Sequence, residues 1–437
     1  MLAKLPLAPE ADLITLSQVV PRLADTHIRM LVSEEPAVLI EGPRGSGKST
    51  LLHAIAAEHG APVVDLDDLP TRAAILEGSM APLLSPGLVV IDEFQHAPGV
   101  LSTVKRVVDR EGGQARFLLA GSVSGRLLPA GTETLTGRVH RVTLMPLSTG
   151  EVLGTPPQWL AQVLAAGEPP GVRSEVSRDG VFELVAAGGY PGALTRPTLR
   201  LRERWFASYL STVADRDLPN LVDIRNPGAI SRLYRLSAER TASVVTMTEL
   251  ARRLDVKPQT TRSYLDLLDM TYLVHELPSW TVGLSARVGR KPKLHVTDTG
   301  LAASVLGFDA ARLSRIPVGG SFLESFVVME LVKQAAMIDQ PLALAHFRDR
   351  TGIEVDLVVE RSDGSVTAVE VKSAATVHRS DGKGLRFLRD KLGARFTVGV
   401  VFHTGPLTVQ LDDRIWATPI PALWGCTGPS SDQNDPS

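Results

Sequence analysis

The alternation of apolar and polar positions divides the chain into three parts. In the first 150 residues, short apolar runs at 37–40, 63–66, 88–91 and 117–120 are separated by helical or loop segments. Strands that alternate with helices form a parallel sheet covered on both faces. Helical spacing then continues to about residue 280, and from about 320 a helix, a strand pair, a basic helical segment and a further strand follow.

The domains that we expect follow these changes of pattern. Pro- and Gly-rich sequence at 146–171 marks the first boundary. The C-terminal tail cannot bury apolar side chains and should be disordered. We predict an α/β parallel-sheet domain at 13–150, a helical linker region at 151–236, a helix-turn-helix unit at 237–295, an α/β domain at 296–424 and the disordered tail at 425–437.

Composition narrows the class of protein. A chain of 437 residues with 44% hydrophobic residues can bury more than one core. Because 46 Lys and Arg nearly balance 48 Asp and Glu, a charged partner must be met by a local patch. The single cysteine, Cys426, excludes a disulfide framework and indicates a reducing compartment. No apolar run approaches the roughly 18 residues that span a bilayer, so we expect a cytoplasmic protein with no membrane partner.

Residues 42–49 carry a phosphate-binding sequence. They fit G-x-x-x-x-G-K-[ST] at every fixed position, between an apolar strand and a helix. Backbone N–H groups of such a loop surround phosphates, its lysine neutralises the β- and γ-oxygens, and its hydroxyl ligates Mg²⁺. ATP and Mg²⁺ are therefore the expected cofactors, with Ser49 on the metal. The predicted binding residues are Gly42, Pro43, Arg44, Gly45, Ser46, Gly47, Lys48, Ser49 and Thr50.

Polar side chains follow the next two long apolar runs. The run at 88–91 ends in Asp92 and Glu93, at the sheet edge where α/β proteins bind ligands. We expect Asp92 to hold the metal through water and Glu93 to orient or deprotonate the attacking water. The run at 117–120 ends near Ser122, whose hydroxyl is expected to sense the γ-phosphate.

An arginine should stabilise the charge of phosphoryl transfer. Arg126, Arg138 and Arg141 follow the strand at 117–120, and Arg138 is our choice. The sequence leaves open whether Arg138 acts within its own chain, acts in trans from a self-associated copy, or caps a helix.

Residues 247–270 have the pattern of a short helix, a tight turn and a longer helix. Thr248 is the expected N-cap of the first helix, Pro258 opens the second, and an alternating strand follows at 272–277. This order is typical of a winged helix-turn-helix on double-stranded DNA, and a packing or protein-docking module is the alternative. The expected DNA-facing residues are Gln259, Thr260, Thr261 and Arg262, with Arg287, Arg290, Lys291 and Lys293 as a phosphate-contacting flank.

Two carboxylates and a lysine are predicted to converge on a hairpin. Asp356 points away from the apolar face of its strand, and Glu370 and Lys372 share a face of the next strand. A turn at 361–364 makes Asp356 and Glu370 approximate cross-strand neighbours. With Glu324 from the preceding helix, the acids would hold Mg²⁺ against a phosphodiester while Lys372 activates water. The alternative is a hairpin with surface ion pairs.

These motifs together resemble a bacterial and archaeal family of ATP-binding proteins with an N-terminal AAA-type P-loop ATPase domain and a C-terminal domain of unknown function. The resemblance covers residues from about 15 to 420 and implies ATPase activity and a C-terminal fold similar to the restriction-endonuclease-like PD-(D/E)XK domains. Asp356, Glu324 and the run from Glu370 to Lys372 fit that pattern, although Val355 stands where a proline is frequent. The stretches that carry the resemblance are 42–50, 89–95, 119–122, 144–148 with Glu151, 188–191, 215–217, the helix pair and 296–301.

We therefore expect an ATP-hydrolysing switch that moves a winged helix and a nuclease-like domain on DNA. Seven Lys and Arg against two Asp at 372–395 would suit a phosphate backbone. One alternative makes the C-terminal half a regulatory or docking module without cleavage activity. A small-molecule kinase is a further alternative, but Asp92 and Glu93 are the pairing expected for water as the nucleophile.

Overall fold

The computed structural model describes residues 16, 19–111, 116–124, 137–155, 157–221, 224, 226–281 and 291–425. Arg126, Arg287, Arg290, Cys426 and the tail beyond residue 425 lie outside these ranges. Within them, no helix is both long and apolar enough to cross a bilayer.

The first domain is a five-stranded parallel sheet between two layers of helices, as the alternating pattern predicts. Its elements are β1 (Ala37–Glu41), β2 (Val63–Asp65), β3 (Val89–Asp92), β4 (Phe117–Gly121), β5 (His140–Thr143), α1 (Asp25–Glu34), α2 (Lys48–His59), α3 (Leu69–Leu76) and α4 (Val100–Glu111). The strand order is β2-β3-β4-β1-β5. Leu39 joins the apolar layer that contains α4, and Ile40 joins the opposite layer with α1 and α2.

The edge strand β5 is not expected from the sequence. Of its four residues only Val142 is fully buried, because the strand has one neighbour in the sheet. It runs parallel to β1, with His140 opposite Val38. Residues 137–139, which directly precede β5, therefore lie at the amino edge of the sheet, away from the loop that follows β1.

A helical section follows the first sheet. Its helices are α5 (Thr149–Leu153), α6 (Trp159–Ala166), α7 (Arg178–Ala187), α8 (Pro191–Leu194), α9 (Leu199–Thr212), α10 (Leu218–Leu221) and α11 (Pro227–Glu239). Between α9 and α10 the chain forms one π-helical turn, Val213–Asp217.

The next unit combines two helices with a three-stranded antiparallel sheet. Its elements are β6 (Ser243–Val244), α12 (Met247–Leu254), α13 (Pro258–Met270), β7 (Val274–Leu277) and β8 (Lys293–Val296). The strand order is β6-β8-β7. The helices occupy the predicted residues, but Thr246 rather than Thr248 caps α12, since its side chain accepts a hydrogen bond from the Glu249 N–H. The strand β8 also extends past the boundary predicted at residue 295.

The C-terminal domain is built on a six-stranded mixed sheet. Its elements are α14 (Thr299–Leu306), α15 (Ala310–Leu313), α16 (Val318–Ala335), β9 (Leu342–Arg348), β10 (Glu354–Arg361), β11 (Val366–Val371), α17 (Lys383–Leu392), β12 (Phe396–His403), β13 (Val409–Asp412) and β14 (Ile415–Pro419). The order is β13-β14-β12-β11-β10-β9. The strands β9, β10 and β11 are antiparallel neighbours, whereas β12 is parallel to β11 and β14.

One apolar core joins the helical section to both of the later sheets. Trp159 of α6 packs on Phe402 of β12 with ring centroids 4.7 Å apart. After β7, the buried Trp280 donates its backbone N–H to the His346 carbonyl oxygen of β9 at 2.6 Å. Residues 278–280, which follow β7, are therefore docked on the C-terminal sheet.

Candidate functional site

The P-loop connects β1 to α2 at the carboxyl edge of the parallel sheet. Gly47 has φ = 96°, in the left-handed region that favours glycine. A Cβ atom on Gly42 would lie 2.2 Å from the carbonyl oxygen of Leu144. Both glycines are thus required by the backbone, and the N–H groups at the start of α2 are placed as in a phosphate-binding loop.

Lys48 lies inside this loop. Its side chain is buried, with 3% exposed, and its ammonium donates to the carbonyl oxygens of Gly42 and Pro43, both at 2.9 Å. Burial lowers the pKa of Lys48 to about 8, although Glu93 and Asp92 act in the opposite direction. The ammonium is therefore charged at neutral pH, at the position where the sequence predicts a phosphate contact.

Two further observations test whether the loop suits a nucleotide with Mg²⁺. The buried Ser46 hydroxyl has no hydrogen-bond partner in the described part of the chain, as expected of a group that a polar ligand would satisfy. The Ser49 hydroxyl donates a hydrogen bond to the buried Asp92 carboxylate. Burial raises the pKa of Asp92, although this hydrogen bond acts to lower it. A hydroxyl beside a carboxylate provides the oxygen ligands that Mg²⁺ prefers. The residues present fit both groups.

Glu93 follows β3 in a left-handed backbone conformation, with φ = 51°. This conformation is uncommon for residues other than glycine, and such strained positions cluster at functional sites. The Glu93 carboxylate accepts hydrogen bonds from the Ser122 hydroxyl, at 2.8 Å, and from the Gln95 side-chain amide. Ser122 thus contacts Glu93 directly, and its role toward the γ-phosphate stays a prediction. The sequence motifs assign no site role to Gln95.

Arg138 is not brought to the P-loop. It lies two residues before β5, at the amino edge of the sheet, whereas the P-loop follows Glu41 at the carboxyl edge. Its guanidinium pairs with Asp109 near the end of α4. In this structure Arg138 does not reach the P-loop of its own chain, and its action in trans stays a prediction.

Arg22 is a site residue that no sequence motif marks. Its guanidinium donates to the Ser46 carbonyl oxygen at 2.5 Å, to the Met145 carbonyl oxygen at 2.7 Å and to Glu151 Oε1 at 2.9 Å. Glu151 is fixed by a capping box with Ser148, a spacing that the sequence does show. Burial acts to raise the pKa of Glu151, but Arg22 and two backbone N–H groups outweigh it and lower the pKa. Arg22 thus clamps the P-loop to the residues after β5.

A cavity of about 480 Å³ adjoins the P-loop beside Arg22. Its walls come from the N-terminal segment, α2 and the region of α8, and are largely apolar. An apolar cleft of this size next to a phosphate-binding loop suits a nucleotide base. The lining includes Leu16, Val20, Thr50, Leu51, Leu147 and Pro191.

The helical section contacts the tip of the P-loop. The Arg44 guanidinium lies 3.1 Å from Oδ1 of Asp217 in the π-helical turn. A Cβ atom on Gly45 would lie 3.9 Å from the Trp205 ring, which stacks on Tyr209 with centroids 5.1 Å apart. A change at the P-loop can therefore reach α9 through direct contacts.

The predicted hairpin neighbours in the C-terminal domain are brought together. Leu357 pairs with Val369 across β10 and β11, so Asp356 and Glu370 follow in register. The Lys372 ammonium donates to Glu370 Oε1 at 2.7 Å, while Oε2 of Glu370 is buried without a hydrogen-bond partner among the described residues. Burial raises the pKa of Glu370 to about 8, with Asp356 adding to the rise and Lys372 opposing it.

The predicted metal set of Asp356, Glu370 and Glu324 is nevertheless not formed. The Lys293 ammonium lies between Glu324 and Asp356, and no group of three metal-ligating side chains is arranged for a metal within the described ranges. Lys293 is 1% exposed, so the expectation that it contacts DNA phosphates is wrong. Its long-range partners come from α16 and β10, which no local pattern around residue 293 reveals.

Only some of the side chains predicted to face DNA on α13 are accessible and unpaired. Gln259 is exposed at the start of α13, but Thr261 is buried. Arg262 forms ion pairs with Asp266 and Glu276, which neutralise its charge within the unit. The expectation that Thr261 and Arg262 face DNA is therefore not met in this structure.

Comparison with known proteins agrees with this view of the first domain. A sequence family described as an AAA domain matches residues 34–153. Two families described as domains of unknown function, DUF8612 and DUF4143, match residues 178–312 and 319–423. The P-loop domain is thus an ATPase domain of the AAA class.

Relatives exist over most of the chain. It is 31% identical over 358 residues to the uncharacterized proteins Rv2008c of Mycobacterium tuberculosis and Mb2031c of Mycobacterium bovis, which covers 81% of this chain and 74% of each relative. The chain belongs to the same family as these two proteins. Among solved structures it is similar to a Walker-type ATPase of Pyrococcus abyssi, at 13% identity over 69% of this chain and 99% of that chain, with a TM-score of 0.42. A STAND ATPase of Pyrococcus horikoshii with a tetratricopeptide repeat sensor is similar at 11% identity. The match covers 76% of this chain and 49% of that chain, with a TM-score of 0.24.

Proposed function

We propose that this protein is a Mg²⁺-dependent ATPase switch whose helical section senses the nucleotide and whose C-terminal half is a regulatory or docking unit without cleavage activity. The observation that carries the proposal is the cluster at the strand ends. Ser49 lies beside Asp92, and Glu93 is held by Ser122 next to the buried Lys48. This is the set of groups that hydrolysis of a nucleoside triphosphate requires.

Each group has a role in this reaction. The P-loop N–H groups and the Lys48 ammonium bind the β- and γ-phosphates, and Ser49 and Asp92 hold Mg²⁺, which when bound neutralises phosphate charge. Glu93 accepts a proton from the attacking water as the water oxygen bonds to the γ-phosphorus and the bond to the ADP oxygen breaks. Ser122 keeps the Glu93 carboxylate oriented through its hydrogen bond.

The contacts of the helical section support a switch. Asp217 binds Arg44, and Trp205 lies against Gly45. The loop that would bind the nucleotide phosphates is therefore also in contact with the helical section. Beyond α9, the core that contains α11, β8 and α16 is continuous. A rearrangement of the loop on hydrolysis thus has a packed route to the C-terminal half.

Double-stranded DNA is the second candidate partner. The order α11-β6-α12-α13-β7-β8 with the sheet order β6-β8-β7 supports a winged helix. The order α16-β9-β10-β11-α17-β12, with Asp356 opposite Glu370, supports a nuclease-like fold. The charges argue against cleavage, because Lys293 lies among the acids and Arg262 is paired. In the basic segment at 372–395, Arg379 and Arg389 are likewise paired with Asp412.

Replacing the proposed base tests the hydrolysis step. Glu93→Gln should bind ATP with wild-type affinity but lose turnover by about 10²- to 10⁴-fold, because an amide cannot accept the proton. Calorimetry measures binding, and phosphate release from ATP alone measures turnover without a kinase acceptor. The exposed Glu77→Gln is the matched control and should keep both. Normal hydrolysis by the Glu93 variant would refute the assigned role.

Adding duplex DNA distinguishes a regulatory or docking C-terminal half from one that acts on DNA. We expect ATP hydrolysis in Mg²⁺ to be unchanged by duplex DNA and the DNA to remain intact on a gel. Hydrolysis stimulated by DNA would establish DNA as a partner. Cutting that Asp356→Ala abolishes would contradict a C-terminal half without cleavage activity.

A further inference from the structure

A second cavity lies beside α9, on a face of that helix next to the one that contacts the P-loop. Its volume is about 290 Å³, and its walls come from α7, α9, α14 and the start of α15. The small residues Ala186, Ala187 and Gly300 leave the space open. The cavity shares no described lining residue with the cleft beside Arg22, so the two are separate sites.

The walls of this cavity offer apolar contacts to a compact ligand. Phe206, Phe308 and Leu199 contribute large apolar side chains, and Phe206 is almost fully buried. Ligand sites in proteins are concave and mostly apolar, with a few polar groups that orient the ligand. Sites for drug-sized molecules have volumes of about 300 to 1,000 Å³, so this cavity suits a smaller molecule.

Arg202 is the most deeply buried polar residue among the described residues that line the cavity. It is 2% exposed, and its Nη2 atom lies 3.4 Å from the Arg196 carbonyl oxygen, which is long for a hydrogen bond. Burial lowers the pKa of Arg202, but a guanidinium keeps its charge in proteins. Its planar fork of N–H donors matches the two oxygens of a carboxylate. The cavity therefore offers a carboxylate a cationic partner that is shielded from water.

The acidic residues of the cavity limit the kind of anion that fits. Glu203 and Asp309 are exposed, and the Asp309 side chain caps α15. Glu183 is half-buried, and burial together with Asp179 raises its pKa. Carboxylates at the rim repel a polyanion such as a nucleotide, whereas a single carboxylate on an apolar body can pair with Arg202 at a smaller cost.

We propose that this cavity binds a small organic acid. Its one carboxylate lies on the Arg202 guanidinium, and its apolar body packs against Phe206 and Phe308. The buried position of the arginine carries the proposal, because an ion pair shielded from water is stronger than one at the surface. The site lies outside the P-loop, and its occupation requires neither nucleotide nor hydrolysis.

Cinnamate, a carboxylate joined to an aromatic ring, tests this proposal, with cinnamyl alcohol as the uncharged probe of similar shape. Both are titrated with the full chain in the absence of nucleotide, and NMR signals of the probe give each Kd. Wild type should bind one cinnamate per chain with a Kd of about 1 mM or lower. The alcohol should bind about tenfold or more weakly, because it lacks the charge-assisted contact to Arg202.

Two variants separate the contribution of the charge from that of the space. Arg202→Met should bind cinnamate about as weakly as the alcohol, while its affinity for the alcohol stays unchanged. Ala186→Leu keeps the arginine but fills the cavity, so it should weaken the binding of both probes by about tenfold or more. Ala207→Leu, at an exposed position of α9, is the matched control and should bind both probes like wild type.

Three results would overturn the proposal. Folded wild type could bind cinnamate no more tightly than the alcohol, or Ala186→Leu could leave the affinity for cinnamate unchanged. Cinnamate binding that is lost only in Ala54→Leu, which fills the cleft beside the P-loop, would place the probe in that cleft instead. Circular dichroism checks that each variant is folded. If Arg202→Met does not fold, Ala186→Leu and Ala207→Leu still decide, because both retain the arginine.

Discussion

At the scale of single residues, the ammonium of Lys48 lies where burial and charge act in opposite directions. Burial lowers its pKa to about 8, and the carboxylates of Glu93 and Asp92 limit the fall. Phosphates of a bound nucleotide would add negative charge and raise the pKa again. Nucleotide binding and protonation of Lys48 are therefore linked.

This linkage predicts a pH dependence of ATP affinity. Below pH 8 the lysine is already protonated, so affinity should be constant, whereas above pH 8 binding must take up a proton and affinity should fall by up to about tenfold per pH unit. Calorimetric titrations from pH 7 to pH 9.5 measure this. Lys48→Ala removes the titrating group and should show weak affinity without this slope. A wild-type affinity that stays constant to pH 9.5 would contradict the linkage.

At the scale of elements, the P-loop is held by parts of the chain that are distant in sequence. Arg22 joins it to Met145 and Glu151, and Arg44 joins it to Asp217. The Arg22–Glu151 pair is almost fully buried, so its removal would leave an unpaired buried carboxylate. The clamp should therefore contribute to stability as well as to the shape of the loop.

Removing the clamp should destabilise the ATPase domain. Arg22→Ala should cost about 3 kcal/mol of unfolding free energy, because breaking a buried ion pair strands its partner. Arg29→Ala removes solvent-accessible, half-buried ion pairs with Asp25 and Glu58 and should cost less than about 1 kcal/mol. Thermal unfolding followed by circular dichroism compares the two. Equal Tm values for both variants would show that the buried clamp has no structural role.

Elements and sites that depend on local patterns are predictable from the sequence. The P-loop, its flanking strand and helix, and the pair Asp92 and Glu93 follow from spacing and apolar runs. The hairpin register follows from the turn, which places Asp356 opposite Glu370. Each of these depends on residues within a short stretch, where strand alternation and turn position fix the geometry.

Contacts between distant elements are not predictable in this way. The position of Arg138 relative to the P-loop is not predicted from the sequence because β5, a short half-polar edge strand, gives no apolar signal. Lys293 looks like part of a basic flank because its three acidic partners are 31 to 63 residues away in sequence. The contact between Arg22 and Glu151 is unpredictable for the same reason, since the two residues are 129 positions apart in sequence. Packing between elements decides these positions.

At the scale of the whole molecule, the ATPase sheet has its own two apolar layers, while one core joins the helical section, the three-stranded sheet and one face of the C-terminal sheet. The other face of the C-terminal sheet packs on α17 in a separate apolar cluster. The buried Asp298, after β8, accepts a hydrogen bond from the Gly189 N–H at 2.7 Å. Gly189 precedes Tyr190, whose hydroxyl bonds that of Tyr209 beside the P-loop at 2.9 Å. The nucleotide site and the strand that carries Lys293 are thus joined by direct contacts, which supports a switch.

Calorimetry with Mg·ATP tests the central claim, that the P-loop binds a nucleoside triphosphate. Wild type should bind one nucleotide per chain, and Lys48→Ala should bind it about 10- to 100-fold more weakly, because a charge-assisted contact to phosphate is lost. Lys391→Ala, at an exposed position on α17, should bind like wild type. Folded wild-type protein that gives no heat of binding, or Lys48→Ala with unchanged affinity, would contradict the account.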